Sequence, residues 1–190
     1  PVVSVALLYR SGLNDEPSTL VGVNRVVAGM LTESTGHLSP GEYRSILETY
    51  GGETSVEVAP DVVFFSDSFS SNLLKGAIWL ASERAYGFRE DTAAYQQVLE
   101  QIRREDAARS EDLSGREDGA LRGMVRTVNL RLVPEVAALD SGMTMQAAKA
   151  YESLYFSPKK AVLAVSGDVH PDSVRKYVVE MFSLLPPDTV

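Results

Sequence analysis

Several kinds of residue are scarce or absent in this sequence, and each gap excludes a class of chemistry. There is no cysteine, which excludes disulfides, thiolate nucleophiles and cysteine-ligated zinc sites. Only two histidines occur, His37 and His170, and they lie far apart along the chain. No uninterrupted apolar run approaches the roughly 18–20 residues of a membrane-spanning helix, so we predict no membrane span.

Basic residues are also fewer than acidic ones. The chain has 18 Lys and Arg against 26 Asp and Glu, which gives a net charge of -8. A polyanion has no electrostatic reason to bind such a chain, so we expect no nucleic-acid partner. The acidic, cysteine-free composition is compatible with the bacterial cytoplasm and with the periplasm, and it leaves the compartment open.

The apolar pattern predicts one α+β domain over residues 1–190, built in two layers. Runs of β-branched and apolar residues predict four strands: Val2–Tyr9 and Ala161–Val165, both fully buried, and Glu53–Ala59 with Val62–Phe69, which form a hairpin. Strands and helices do not alternate as they do in regular βαβ units. We therefore expect a mixed sheet with helices packed on one side.

Between these strands, apolar residues recur at helical spacing and predict several helices. A first helix begins at Val23 and should bury Met30. The segment Ser39-Pro40-Gly41-Glu42 has the pattern of a capping box and starts a second helix, which ends at Gly51-Gly52. Further helices are predicted after Ser71-Asn72, from Asp91 to Asp112 with a break at Gly115, over Leu121–Leu132 and over Met145–Tyr155. A last helix after Gly167-Asp168 should bury the face from Val174 to Phe182 and end at Pro186-Pro187.

The usual catalytic motifs are missing. No Gly-x-Ser-x-Gly turn and no Gly-rich turn that opens a helix occur. His37 lies in a polar loop where we expect it to be solvated, and His170 precedes Pro171, where it should help start the last helix. Neither has a second histidine three or four residues away, as a metal pair on one helix face requires. We interpret Glu105-Asp106 as solvated helix-surface charge beside neighbouring arginines.

Five segments in order resemble the pitrilysin-like zinc metallopeptidases. They are a strand and turn at Val5–Glu16, the helix Gly22–Leu31, the loop, helix and Gly-Gly of Thr35–Gly52, the stretch Tyr155–Val169, and Phe182–Pro186. No single segment is specific. Their order and spacing along nearly the whole chain carry the resemblance.

The resemblance implies a zinc site that has been lost here. Active members carry H-x-x-E-H on the first helix, where two histidines hold the metal and the glutamate activates water. The matching residues are Arg25, Ala28 and Gly29, and the third ligand, a glutamate on a later helix, corresponds to Gln101, with Glu100 as the adjacent alternative. A guanidinium repels a divalent cation. We therefore expect no catalytic and no metal-binding residue in this domain.

The resemblance also implies a role without chemistry. Family members work as two similar halves that close around a peptide, and one half often lacks zinc. We expect this chain, which opens in mid-strand at Pro1 without a Met, to be a fragment of a longer protein: the first domain of a non-catalytic half, after an upstream edge strand. Its partner would be the zinc-bearing half, with peptide as substrate, and zinc is expected only in that half.

Three further expectations concern alternatives and details. Glu53–Ala59 aligns with the strand that pairs with substrate in active halves, but it carries Ser55 and Val56 at matching positions, so we expect a core strand only. The alternatives to an inactive partner domain are an active metallopeptidase with a carboxylate site at Glu33 or Glu100, and a structural core subunit of a larger assembly. Arg25 should matter little for stability unless it has found a carboxylate partner.

Overall fold

The computed structural model describes residues 1–111, 142–183 and 185. Within these ranges the strands are β1 (Val2–Tyr9), β2 (Glu53–Val58), β3 (Val63–Ser70) and β4 (Ala161–Gly167). The helices are α1 (Val23–Glu33), α2 (Glu42–Tyr50), α3 (Leu74–Ala85), α4 (Thr92–Glu111), α5 (Met145–Tyr155) and α6 (Pro171–Phe182). The break predicted at Gly115, the helix predicted over Leu121–Leu132 and the stop at Pro186-Pro187 lie outside the described residues.

The four strands form one sheet in the order β2-β3-β1-β4. All three pairings are antiparallel, so the prediction of a mixed sheet is wrong for the described strands, whereas the α+β class is confirmed. The reason is topological. β1 and β2 run in the same direction, but they are not neighbours because β3 lies between them. β3 and β4 also run in the same direction, and β1 lies between those two.

The helices cover one face of this sheet, as predicted. In β1 the residues Val3, Val5, Leu7 and Tyr9 are buried, while the residues between them are only half-buried. The prediction that β1 and β4 are buried on both faces is therefore wrong. One layer of helices covers only one face, and β4 additionally lies at a sheet edge, where Val162 is exposed.

The core has two parts, side by side under the helices. One joins the Tyr9 end of β1 to α1, α4 and α5, and the other joins its Val3 end to α2 and α3. Residues of α1 that recur at helical spacing point into the first part. Met30 is 0% exposed, which confirms the placement of this helix. No described helix has both the length and the apolar character needed to cross a membrane.

Helix ends agree with the sequence at α4 and differ at α2 and α3. The Asp91 carboxylate accepts a hydrogen bond from the N–H of Ala94 at 2.9 Å and so caps α4. α2 begins at Glu42, after Gly41 in the left-handed conformation, and no side chain caps it. Only half of the predicted capping box forms, because Glu42 accepts the Ser39 N–H at 2.6 Å while the Ser39 hydroxyl does not reciprocate. α3 begins at Leu74, after a short turn.

Truncation of Met30 should test the first part of the core. We expect Met30→Ala to lower the free energy of unfolding by about 2–5 kcal/mol, because it leaves a cavity beside close-packed neighbours. Leu154→Ala on α5 is the matched control: Leu154 is 56% exposed, and its loss should change stability by no more than about 0.5 kcal/mol. Urea unfolding measures both, and equal losses for the two variants would contradict the packing of α1.

Candidate functional site

Four residues picked out in the sequence meet in one cavity. Arg25, Ala28 and Gly29 lie on α1 and Gln101 lies on α4, and all four line a cavity of about 460 Å³ between these helices, α2 and β2. That volume is within the range of ligand pockets in proteins. The structure therefore brings together residues that are more than seventy positions apart in the sequence, as the motif spacing predicts.

A half-buried carboxylate fixes the start of α1 and with it the position of Arg25. Glu16 accepts the backbone N–H groups of Gly22 at 2.8 Å and of Asn24 at 2.9 Å, which are otherwise unpaired at a helix N-terminus. Burial raises the pKa of the Glu16 carboxyl, and these hydrogen bonds oppose that rise. The Asn24 amide also donates to the Gly12 carbonyl at 2.8 Å, so the turn before α1 is tied to the helix.

Arg25 is a bridge between α1 and α4. Its guanidinium Nη1 lies 2.7 Å from Asp106 Oδ1, and Nη2 lies 3.5 Å from Glu105 Oε2 and 3.4 Å from the Ile102 carbonyl oxygen. The side chain is only 10% exposed. Arg25 thus has the carboxylate partner that would make it contribute to stability. The interpretation of Glu105-Asp106 as merely solvated charge is wrong, because both side chains pair with Arg25.

Gln101 and Gly29 complete the contact between the two helices. Gln101 donates from Nε2 to Glu105 Oε1 at 3.0 Å, so Glu105 is held from two sides. Gly29 allows close approach: a Cβ atom at this position would lie 2.6 Å from Cγ1 of Val98, closer than two carbon atoms can pack. Any larger residue at position 29 requires Val98 or the helices to shift.

The donor set at these four positions does not fit a zinc ion. Zinc in proteins is held by thiolate, imidazole and carboxylate ligands. Arg25 offers a cation, Ala28 and Gly29 offer no donor atom, and Gln101 offers a neutral amide that is already engaged with Glu105. Among the described residues, no group of three or more His, Asp and Glu is arranged to hold a metal ion.

The two alternative ligands are not brought together. Glu33 lines the cavity, but its Oε1 accepts from Arg44 Nη2 at 2.8 Å. Glu100 is exposed and pairs with Arg104 one helical turn further on. The two carboxylates therefore belong to separate ion pairs.

The two histidines lie away from the cavity. His170 immediately precedes α6, with Pro171 as its first residue, as predicted. His37 is exposed in its loop but is not simply solvated, because its Nδ1 lies 3.0 Å from Oε1 of the buried Glu83. Glu83 also accepts the His37 backbone N–H at 3.0 Å, which ties this loop to α3.

A buried ionic network behind the cavity went unnoticed in the sequence. Arg84 on α3 is 1% exposed and binds Asp67 on β3 with two hydrogen bonds of 2.5 and 3.1 Å. Tyr43 donates to Asp67 at 2.8 Å, and burial raises the pKa of its phenol, so the donor stays protonated. Arg84 also donates to the Thr54 hydroxyl at 3.1 Å. The available signal was Asp67 itself, an acid at an inward position of a strand that otherwise alternates apolar and polar.

The remaining wall of the cavity is β2, which lies at the edge of the sheet. Thr54, Val56 and Val58 line the cavity. The prediction of a core strand is wrong: β2 is exposed over Glu53–Glu57, and Val56 itself is 40% exposed. The reason is the sheet order, in which β2 has a neighbour on one side only among the described strands.

The chain is similar to known proteases in sequence and in structure. It is 25% identical over 186 residues to the zinc protease PqqE of Helicobacter pylori, a match that covers 91% of this chain and 40% of that protein. The chain thus spans less than half the length of this curated relative. No family model matches the chain.

Two solved structures share the fold. The periplasmic protease PqqL from Escherichia coli superposes with a TM-score of 0.88 at 17% identity, over 97% of this chain and 21% of that chain. A peptidase M16 inactive domain from Pseudomonas fluorescens superposes with a TM-score of 0.81 at 15% identity, over 98% and 46%. At these identities the similarity shows the fold. Together with the curated relative, it confirms the resemblance drawn from the sequence at the level of the family.

The bridge formed by Arg25 should be measurable as stability. Arg25→Met keeps the aliphatic stem and removes the charge, so it leaves Asp106 without this guanidinium. We expect the free energy of unfolding to fall by about 1–3 kcal/mol. Asp106→Asn added to that variant should recover part of the loss, because no carboxylate is then left facing the gap.

Arg104→Met provides the matched control for this prediction. Arg104 pairs with Glu100 on the exposed face of α4, where an ion pair contributes less than about 0.5 kcal/mol. Urea unfolding of the three variants measures the difference. If Arg25→Met and Arg104→Met are equally mild, Arg25 does not hold the two helices together.

Proposed function

We propose that this chain, a relative of the pitrilysin-like proteases, is a non-catalytic domain that binds an extended peptide beside a zinc-bearing half. The observation that carries the proposal is the chemistry of the four positions that line the cavity. They present a guanidinium, a methyl group, a hydrogen atom and an amide where the resemblance implies three metal ligands and a general base. We assign these residues as remnants of that site.

Hydrolysis by this domain would need a metal to activate water and a base to accept its proton. Ala28, at the position of the base, has no titratable group. The Arg25 guanidinium is paired with Asp106 at 2.7 Å. These residues support a domain that keeps the cavity but lacks the metal ligands and the general base needed for hydrolysis.

Peptide binding is supported by the free edge of β2. The Ala59 N–H donates to the Val62 carbonyl at 2.9 Å across the hairpin, so Ala59 faces β3. In an antiparallel pair the direction of the backbone groups alternates along the strand. Thr54, Val56 and Val58 therefore direct their N–H and C=O groups to the free edge, where an added strand can pair with them.

The lengths of the relatives support a place within a larger protein. The chain covers 40% of the zinc protease from Helicobacter pylori and 46% of the inactive domain from Pseudomonas fluorescens. A protein of two or more such parts can carry zinc in one and a metal-free partner in another. We assign this chain to the first domain of the metal-free half, where it shapes the peptide chamber.

The alternatives have less support. A carboxylate metal site would need Glu33 or Glu100 to leave its arginine, and the two lie in separate ion pairs. A structural core subunit would likewise have no use for zinc, but such a role gives no account of the cavity beside an open strand edge.

The first test concerns metal. Titration of Zn²⁺ into the metal-free 190-residue chain, followed by calorimetry, should give no stoichiometric binding, because the described residues contain no ligand set for zinc. Peptide hydrolysis should be absent and unchanged by a chelator. The zinc protease from Helicobacter pylori, treated in the same way, is the positive control. One equivalent of tightly bound zinc together with chelator-sensitive cleavage would overturn the proposal.

The second test concerns the strand edge. Proline is tolerated in an edge strand where its missing N–H faces outward, so Val56→Pro should fold but present one donor fewer and a bulky ring at the edge. We expect it to lose at least about tenfold in affinity for a fluorescent peptide of alternating valine and threonine. Val56→Thr keeps the N–H and the β-branched shape and should retain binding. Fluorescence anisotropy measures both, and unchanged binding by Val56→Pro would place the peptide elsewhere.

A further inference from the structure

The two faces of β2 differ sharply in chemistry. Thr54, Val56 and Val58 line the cavity, so the side chains between them point to the opposite face of the sheet, which none of the described helices covers. On that face β2 presents Glu53, Ser55 and Glu57, three residues that are all exposed. An extended peptide paired with β2 would place alternate side chains on the same two faces.

The two carboxylates have no cation beside them within the sheet. On β3, Glu53 lies opposite Ser68 and Glu57 lies opposite Phe64. Within the described residues neither carboxylate makes an ion pair. In the plane of the sheet, β3 occupies one side of Glu53 and Glu57. Among the described strands none lies on the other side, so a cation on a neighbouring strand can reach these two carboxylates only from the outer edge of β2.

The cavity side has the opposite character. Its arginines are already neutralised, Arg25 by Asp106 at 2.7 Å and Arg44 by Glu33 at 2.8 Å. Apart from these pairs and Glu105, which Arg25 also contacts, the lining is mostly apolar or small, with Ala28 and Val98 among its members, and its polar side chains, such as Gln101, carry no charge. An apolar side chain entering the cavity leaves no charge unpaired, whereas a charged one would have to compete with an existing ion pair.

We propose that the edge of β2 selects extended peptides in which apolar residues alternate with lysine or arginine. The apolar side chains enter the cavity, and the basic ones lie beside Glu53 and Glu57. Opposite charges at cross-strand positions stabilise a pair of strands, and like charges destabilise it, so the selection is attractive toward basic and repulsive toward acidic peptides. This inference rests on the proposed peptide-binding function and adds the class of peptide.

The probes are two labelled heptapeptides, one alternating valine with lysine and one alternating valine with glutamate. With the 190-residue chain we expect the lysine peptide to bind about tenfold more tightly or better in fluorescence anisotropy. The Glu53→Gln, Glu57→Gln double variant should reduce that ratio toward unity. Since these substitutions lie on the exposed face and leave the backbone unchanged, we expect the double variant to fold like the unmodified chain.

A control separates local from overall charge, because an acidic chain attracts any cationic peptide. Glu48→Gln with Glu90→Gln removes the same charge from two other exposed sites and should keep the preference. If this control abolishes the preference as fully as the change on β2, the selection is not made at the edge and the inference fails.

The other outcomes distinguish the inference from the function on which it rests. If both peptides bind equally and Val56→Pro abolishes both, the edge binds peptide without selecting charge, so the inference fails and the function stands. If no peptide binds, including the neutral one of valine and threonine, both fail. A lysine preference that Val56→Pro removes and that the Glu48→Gln, Glu90→Gln control retains supports both.

Discussion

The close packing of α1 against α4 is the contact on which the site depends. It is made by the Arg25 guanidinium, which reaches two acidic side chains of α4, and by Gly29, whose missing side chain lets Val98 approach. In the active enzymes that the chain resembles, a metal ion would join the same two helices through its ligands. Here an ion pair and a van der Waals contact join them instead. The cavity between these helices is thereby held by interactions that need no metal.

A second ionic contact supports the cleft from behind. Arg84 and Asp67 are both buried, and the desolvation of two charges is costly unless their hydrogen bonds are nearly all made. The guanidinium has two bonds to Asp67 and lies 4.5 Å from the ring centroid of Tyr43, and the same network reaches Thr54 on β2. β2 is thus tied to α3 through the inward side chain of Thr54, and on its outer side it has no partner strand among the described residues.

These two anchors give the proposed function a physical basis. A strand that accepts a peptide must be rigid enough to present its donors and acceptors in register, yet must lack a neighbour. β2 meets both conditions, since one side pairs with β3 and the other has no partner strand among the described residues. The cavity behind it is of a size that accommodates side chains, and its charges are paired internally. Both features are compatible with the proposed binding of a peptide without a metal.

The sequence by itself determined the α+β class, the placement of α1 with Met30 in the core, the cap at Asp91 and the identity of the four residues that meet in the cavity. The first three follow from periodicity and capping patterns, which depend on residues near one another in the chain, whereas the four cavity residues follow from the resemblance to a protein family. Only the tertiary structure decided that Arg25 finds Glu105, 80 positions away, that Asp67 pairs with Arg84, and that β2 is an edge strand and not a core strand. The reason is physical: the partner of a charge and the neighbour of a strand are set by which elements pack together, and a local pattern carries no record of what lies across the fold.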